Sequence, residues 1–370
     1  MRVTYRYRRY LMSLVRSNVI SSGTANKRMT IVVAFYRCCI KKNLVVPDEI
    51  ENLPYQEVAK TILTTNHIGL QRIRAVNSSD LSIKVARSPD RTEEIIDGGE
   101  KLRPLSEGDQ ELILAELETS ATRTQQLVFW TALFTGARIQ TIGTLRVAPF
   151  LHSLEKYRDR PEVLMPVGPG TGIDTKGGSR YVLHIPTALA KQIEAYVKSP
   201  AAKRLRKKSF YGDSEENYVF LTRDGQPFYT SRQELEDRQL SLVSLQHRAN
   251  FKIKDGQAIR AKVSEIYKSI KSKNSSFRRF RFHDLRASYC MNYLTDRMSV
   301  PIVKELRDGS KVDLTRAKAL SEASKRMGHA SESTSELYLD YRDVVEAESK
   351  ASKIVVDRLF KYIKEDTPSQ

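Results

Sequence analysis

The sequence has few cysteines, a single tryptophan and no long apolar run. Cysteines occur only at 38, 39 and 290, a spacing that fits neither a metal site nor the disulfide framework of a secreted domain. The most apolar stretch, Ile31–Ile40, is interrupted by Arg37 and is shorter than the roughly 20 residues that cross a bilayer. We therefore interpret the cysteines as reduced thiols and expect a cytoplasmic protein with no membrane partner and no metal. A bacterial nucleoid-associated location is the specific expectation.

Acidic residues are also scarce relative to basic ones. The 370 residues include 62 lysines and arginines against 44 acidic residues, which leaves a formal net charge of +18. The length is sufficient for two domains, each with its own core. A surplus of this size indicates a polyanionic partner, of which nucleic acid is the most general.

Basic side chains cluster at two places. Ten of them lie between Met1 and Lys42, before the first acid at Asp48, and tyrosines interleave with the first arginines. Cations for phosphates beside aromatic rings are typical of a surface that binds nucleic acid, with a solvated terminus as an equally weighted alternative. A second run, Lys203–Lys208, carries the same two interpretations. The predicted DNA contacts are Arg6, Arg8, Arg9, Lys27, Arg28, Lys41, Lys42, Lys203, Arg204 and Arg206.

Hydrophobic patterning divides the chain into two domains. We predict helices over Leu11–Val15, Ile31–Ile40 and Val58–Ile68, which gives a helical domain up to about residue 85. Residues 86–104 have the composition of an interdomain linker. Ser106 has the character of a helix N-cap and opens a second domain over 105–345. Residues 346–370 form a tail.

The second domain mixes helices with a short antiparallel pair of strands. A helix is predicted over Thr124–Thr135, ended by Gly136. Val163–Val167 and Arg180–Ile185 have β-like patterns, with Lys176 at the tip between them. The expected fold class is therefore mainly α with a small antiparallel β-sheet: a helical domain followed by a mixed α+β domain.

Four short motifs follow one another in this second domain. Thr135–Arg138 reads TGAR, Thr175–Gly178 reads TKGG, His283–Arg286 reads HDLR, and Met327–His329 reads MGH ahead of two tyrosines. Cleaving a phosphodiester without a metal requires a nucleophile, donors for the non-bridging oxygens and an acid for the leaving oxygen. Arginine forks suit the second role and a tyrosine hydroxyl suits the first.

In this order and with these spacings, the motifs resemble those of the tyrosine recombinase (phage integrase) family. The resemblance extends over nearly the whole chain, from a helical core-binding domain over 1–85 to the catalytic domain. It implies a site-specific recombinase that needs no cofactor and cleaves double-stranded DNA at specific sites. It also implies a homo-tetramer on DNA, with possible accessory DNA-bending or directionality factors and a tail, 346–370, exchanged between protomers. Integration or excision of a mobile element is the preferred role.

The resemblance assigns a role to each motif residue. Arg138 and Arg286 would hold the scissile phosphate, and Lys176 would be the general acid for the 5′ oxygen. His283 would assist proton transfer, and His329 would donate a hydrogen bond to a phosphate oxygen. For each of these residues taken singly, a purely structural role is the alternative: buried imidazoles for the histidines and a solvated hairpin tip for the lysine.

Tyr338 is the predicted nucleophile, which would give a 3′-phosphotyrosyl link. The interval of nine residues from His329 favours it over Tyr341, and a core-filling ring is its alternative. The chain departs from the family at Thr141, where an acidic residue is usual, and it carries longer intervals within 231–276 and 300–319. Two other functions stay open: a topoisomerase of type IB that relaxes DNA of any sequence, and a DNA-binding regulator without the reaction.

Overall fold

The computed structural model describes most of the chain, in two compact units, Met1–Asp90 and Arg91–Gln370. The residues described are 2–17, 19–47, 53–65, 71–83, 95–97, 100–152, 157, 159–240, 251–305, 310–329, 335–339 and 341. Helices dominate, and the strands form two-stranded antiparallel sheets, so the predicted fold class is confirmed. None of the helices within these ranges is both long and apolar enough to cross a membrane. The predicted tail, 346–370, lies outside the described residues.

The first unit begins with two helices, α1 (Val3–Arg16) and α2 (Ser22–Lys41). Ser21 caps α2, since its hydroxyl accepts a hydrogen bond from the Thr24 amide at 3.1 Å. Apolar residues at helical spacing on the two helices form a small core with residues that flank a following hairpin. The buried members of this core are Leu11, Ala25, Met29, Val33, Tyr55, Leu81 and Ile83.

The third predicted helix of this unit, Val58–Ile68, is wrong. The chain forms a hairpin there, in which β1 (Glu57–Thr65) pairs with β2 (Gln71–Ser79) from Glu57 opposite Ser79 to Thr65 opposite Gln71. Five of the nine residues of β1 are branched at Cβ, and such side chains lose rotamer freedom in a helix but pack well on a pleated strand. Branching at Cβ was the signal that decided between helix and strand here.

The second unit contains ten helices and six short strands in the part that the structure describes. Within the predicted linker lie β3 (Ile95–Asp97) and β4 (Glu100–Leu102). The elements that follow, in chain order, are α3 (Glu107–Ser120), α4 (Arg123–Thr135), α5 (Ile139–Gly143), α6 (Ala148–His152), β5 (Glu162–Val167), β6 (Tyr181–Pro186), α7 (Thr187–Lys198), α8 (Pro200–Lys207), α9 (Arg232–Leu240), α10 (Gln257–Lys273), α11 (Asp284–Met298), β7 (Val303–Glu305), β8 (Lys311–Asp313) and α12 (Thr315–Met327).

The helix boundaries read from capping residues are confirmed. The Ser106 hydroxyl accepts the Asp109 amide at 3.1 Å, which begins α3. The start of α4 lies one residue before the predicted Thr124, where Thr122 and Gln125 form a reciprocal capping box that was not predicted. Gly136 ends that helix in the left-handed conformation, with φ of 64°. Local sequence thus determines where α4 stops and where the chain turns toward Arg138.

The predicted pair of strands is also confirmed. β5 and β6 pair in an antiparallel register from Glu162 opposite Pro186 to Val167 opposite Tyr181. Alternate residues of β5 are buried, as expected for a sheet with one face on the core. Their apolar side chains join the main core of the unit together with α3, α4 and α7. A second core cluster lies among α11, α12 and the 335–339 segment.

The two long intervals contain structure of their own. The 231–276 interval holds α9 and α10, with 241–250 outside the described residues. The 300–319 interval holds the β7–β8 hairpin, whose six strand residues are all exposed, and the beginning of α12. The β7–β8 hairpin is thus a surface element, whereas α10 places four apolar residues in the main core of the unit: Ile259, Val263, Ile266 and Ile270.

Candidate active site

Arg286 joins two of the four motifs. It lies in the first turn of α11 and is 1% exposed. Its Nη1 donates to the Gly136 carbonyl at 2.6 Å, and its Nη2 donates to the Met327 carbonyl at 2.8 Å. These are carbonyls at the C-terminal ends of α4 and α12, where a cation is favoured by the helix dipole. One guanidinium therefore holds together the chain segments that continue into Arg138 and His329.

Two glycines allow these segments to approach closely. A Cβ built on Gly136 would lie 2.4 Å from the ring of Tyr289 and 2.7 Å from the sulfur of Met327. A Cβ on Gly328 would lie 2.7 Å from the ring of Tyr181, the first residue of β6. Both glycines also have positive φ values, 64° and 58°. The glycines of TGAR and MGH are thus required by packing as well as by backbone conformation.

Lys176 is exposed in the loop between β5 and β6, at the start of a short 3₁₀ turn. The loop is attached to the rest of the site on one side through Asp174. The Asp174 amide donates to the Thr144 hydroxyl at 2.9 Å. Thr144 directly follows α5, the helix that begins immediately after Arg138. The other end of the loop leads into Tyr181, which packs on Gly328. The structure thus ties the TKGG loop to the elements that carry Arg138 and His329.

Arg146 holds the same loop by hydrogen bonds, and it was not among the predicted site residues. Its side chain is 5% exposed, and its Nε donates to the Gly172 carbonyl at 2.9 Å. Its two other nitrogens donate to the Glu216 carbonyl at 2.8 Å and to the Ser231 hydroxyl at 2.7 Å. The partners lie far apart in sequence, so the pattern around Arg146 gave no signal of this role.

His283 directly precedes α11 and is half-buried. It lines a cleft of about 570 Å³ together with Arg260, Arg279 and Arg281. The next residue, Asp284, is 4% exposed and accepts the amides of Arg103 at 3.1 Å and Arg281 at 2.8 Å. Burial raises the pKa of the Asp284 carboxyl, and the two amide hydrogen bonds oppose that rise. Asp284 fixes the start of α11, while the cleft presents cations beside His283.

His329 and Tyr338 lie against each other. Their rings stack with centroids 6.2 Å apart and planes 8° apart. His329 Nδ1 is 3.0 Å from the Ser335 hydroxyl, which in turn donates to the Ser324 hydroxyl at 3.2 Å. The serines orient the imidazole, and the sequence analysis did not single them out for this role. MGH and the candidate nucleophile are therefore in direct contact.

Tyr338 is 0% exposed, and the structure differs here from the expectation of a hydroxyl within reach of DNA. Its ring belongs to the second core cluster, with Met327 and Tyr289. Tyr341 is half-buried and packs at the edge of the same cluster. In this structure the candidate nucleophile is therefore part of the core, and its hydroxyl is not exposed.

The predicted DNA contacts fall into two groups. Eight of them are exposed on α1, on α2 and its C-cap, and on α8: Arg6, Arg9, Lys27, Arg28, Lys41, Lys42, Lys203 and Arg204. The other two serve the fold. Arg8 is half-buried and donates to the Leu81 carbonyl at 3.2 Å. Arg206 is 4% exposed and donates to Asp213 at 2.8 Å and to the Val197 carbonyl at 2.9 Å. Because its guanidinium is buried and bonded, we withdraw Arg206 from the set.

Similar solved structures are those of integrases and a site-specific recombinase. The Tn1549 transposon integrase (aa 82–397, Y379F) in complex with transposon right end DNA is 14% identical, with a TM-score of 0.44 over 94% of this chain and 84% of that one. A lambda integrase (75–356) dimer bound to a COC′ core site is 13% identical, with a TM-score of 0.44 over 92% and 80%.

The XerH site-specific recombinase bound to its difH substrate is 15% identical, with a TM-score of 0.37 over 77% of this chain and 58% of that one. No protein-family model and no curated protein matches the sequence. All three solved structures are of tyrosine recombinases, the family that the sequence motifs resemble.

Proposed function

We propose that this chain is a tyrosine-type site-specific DNA recombinase. The observation that carries the proposal is the pair of hydrogen bonds from Arg286 to the Gly136 and Met327 carbonyls. They draw TGAR, HDLR and MGH together, and His329 in turn contacts Tyr338. The segments that meet lie up to about 200 residues apart in sequence, and they bring an arginine, a histidine and a tyrosine, which are among the groups that phosphodiester transfer requires.

In the proposed reaction, the Tyr338 hydroxyl loses its proton toward His283 and attacks the phosphorus. The bond from phosphorus to the 5′ oxygen breaks, and Lys176 gives that oxygen a proton. Arg138 and His329 hold the non-bridging oxygens as negative charge develops, and Arg286, whose guanidinium is buried and bonded to two backbone carbonyls here, joins them only once the site opens. The 3′-phosphotyrosyl ester keeps the bond energy, so a 5′ hydroxyl from another strand restores a phosphodiester and releases the tyrosine.

The wider proposal is that the protein integrates or excises a mobile element. Protomers would assemble as a tetramer that pairs two DNA sites, with accessory DNA-bending or directionality factors as further partners, inside the cytoplasm. The exposed cations on α1, α2 and α8 support DNA binding, since each can neutralise a backbone phosphate. The arginines beside His283 support a path for the backbone toward the site.

The burial of Tyr338 favours one alternative, a DNA-binding regulator that keeps the fold without the reaction. In such a protein, the fully buried Tyr338 would serve only as a core residue. The two functions differ in whether DNA bound by the protein ever becomes covalently attached to it. The topoisomerase alternative differs in another way, because it would form the adduct and relax supercoils on DNA of any sequence.

The test uses a library of nicked duplexes with randomised sequence, from which those bound by the full chain are recovered. We expect a covalent adduct that survives denaturing electrophoresis, forms equally in excess EDTA, and maps by mass spectrometry to Tyr338. Tyr338→Phe should abolish the adduct and leave DNA affinity within about twofold, because the variant lacks only the nucleophile.

Tyr341→Phe is the matched control and should leave the adduct intact. An adduct mapped to Tyr341 would transfer the role of nucleophile to that residue. Wild-type protein that binds duplex yet forms no adduct with any recovered sequence would contradict the recombinase and establish the regulator instead.

A further inference from the structure

Arg326 occupies the last turn of α12, immediately before Met327–His329. Its Nη1 donates to Glu162 Oε1 at 2.6 Å, and its Nη2 donates to Glu162 Oε2 at 2.9 Å. The side chains are only 18% and 30% exposed. A two-point contact between a guanidinium fork and a carboxylate restrains direction as well as distance, unlike a single exposed ion pair.

The pair is embedded in further contacts. His184 Nδ1 lies 3.0 Å from Glu162 Oε2, and the Arg326 guanidinium lies 4.6 Å from the centre of the Tyr293 ring on α11. The hydrogen bond to His184, followed by that to Arg326, lowers the pKa of Glu162 to about 2. The carboxyl is therefore ionised across the neutral range, where it can pair with Arg326.

The pair connects two chain segments that carry candidate site residues. Glu162 is the first residue of β5, whose hairpin with β6 carries the Lys176 loop. On the other side, the residue after Arg326 supplies the Met327 carbonyl that Arg286 binds, and His329 follows two residues later. A single contact therefore fixes the end of α12 relative to the hairpin, at the junction of two motifs.

We propose that Glu162 and Arg326 are positioning residues for the strand-transfer reaction. Their pairing sets where the Met327 carbonyl, Gly328 and His329 lie relative to Arg286 and to the Lys176 loop. Neither side chain needs to touch DNA. The inference rests on the recombinase function proposed above, and it adds two residues that lie outside all four motifs.

The experiment measures two quantities with the full chain on a recovered duplex: the affinity, and the first-order rate of adduct formation at saturating protein. Glu162→Gln should slow adduct formation about 10- to 100-fold, the cost of a misplacement on the order of 1 Å at a reacting centre. DNA affinity should stay within about twofold. Because the rate is taken on bound protein, loss of some folded material does not imitate the effect.

Three further variants separate positioning from general stabilisation. Arg326→Lys keeps the charge and loses the fork, so it should also slow the rate, by less than Glu162→Gln. The double variant Glu162→Gln/Arg326→Gln should be no slower than Glu162→Gln alone, because that single substitution already removes the contact with Arg326. Asp213→Asn is the matched control, since Asp213 also pairs with an arginine, at 2.8 Å, and is also 30% exposed, while neither Asp213 nor Arg206 lies in or next to a motif in the sequence.

The outcomes are distinct. Wild-type protein without any adduct would remove the recombinase function itself. A wild-type adduct with unchanged rates in Glu162→Gln and Arg326→Lys would remove only the positioning role. Equal slowing in Asp213→Asn would also remove it, since any lost ion pair would then have the same effect.

Discussion

The predicted DNA contacts of the first unit and the central arginine of the candidate site in the second unit differ in exposure. In the first, six of the seven predicted DNA contacts are exposed on two helices and on the C-cap of α2, around a small core. In the second, the decisive cation, Arg286, is buried and bonded to two backbone carbonyls. Exposed cations neutralise phosphates with little dependence on exact position, whereas a buried one fixes other groups. Affinity and chemistry should therefore respond to different substitutions.

The largest expected effect is a loss of stability in the second unit. Gly136→Ala combines a left-handed φ of 64° with a Cβ 2.4 Å from the Tyr289 ring. The free energy of unfolding should fall by about 2–5 kcal/mol, the sum of backbone strain and overpacking. Urea denaturation followed by tryptophan fluorescence measures it, since the single tryptophan lies in α4.

Gly212→Ala provides the control for that substitution. Its φ is also 64°, and a Cβ there meets nothing within 4 Å in the described part of the chain. Only the backbone strain of about 1–2 kcal/mol should appear. Equal losses for the two variants would show that the packing of Gly136 on α11 and α12 contributes nothing.

A smaller effect concerns the first unit. Replacing Arg6, Arg9, Lys27 and Arg28 by glutamine should weaken DNA binding about 10- to 100-fold at moderate salt. It should also reduce the slope of log affinity against log salt by roughly 3–4, about 0.9 for each lost phosphate contact. Fluorescence anisotropy at several salt concentrations measures both quantities.

The rate of adduct formation on saturated protein should not change in that variant. Arg37→Gln is the control, because Arg37 lies on α2 but binds both oxygens of Glu57, each at 2.9 Å. It should leave the salt slope unaltered. An unchanged slope in the fourfold variant would refute DNA contact by α1 and α2 and leave the solvated-terminus interpretation.

The same contrast explains what could be predicted from sequence. Capping residues are local, so Ser106 and Gly136 gave helix boundaries that the structure confirms. The strands beside Lys176 followed from their alternating pattern. The β1–β2 hairpin was missed because apolar content was weighed above branching at Cβ.

Contacts between distant segments gave no local signal. Glu162 and Arg326 are 164 positions apart, and each alone looks like an ordinary surface charge. The burial of Tyr338 likewise depends on how α11, α12 and the 335–339 segment pack together. Motifs indicated which residues matter for chemistry, whereas their support and their accessibility came only from the tertiary structure.

The smallest expected effect is a pH-dependent change in the stability of the second unit. Glu162 has a pKa of about 2 in the folded protein against an ordinary value of 4.5. A carboxyl with a lowered pKa stabilises the fold above its unfolded value, so this contribution is complete above pH 4.5 and is lost as the pH falls toward 2. Partial exposure of the pair reduces the amount to about 1–2 kcal/mol. Glu162→Gln should therefore be less stable than wild type at pH 6, and the difference should shrink on acidification to pH 3, as measured by urea denaturation at both pH values. A difference that stays constant would mean that the carboxylate acts through packing rather than through its charge beside His184 and Arg326.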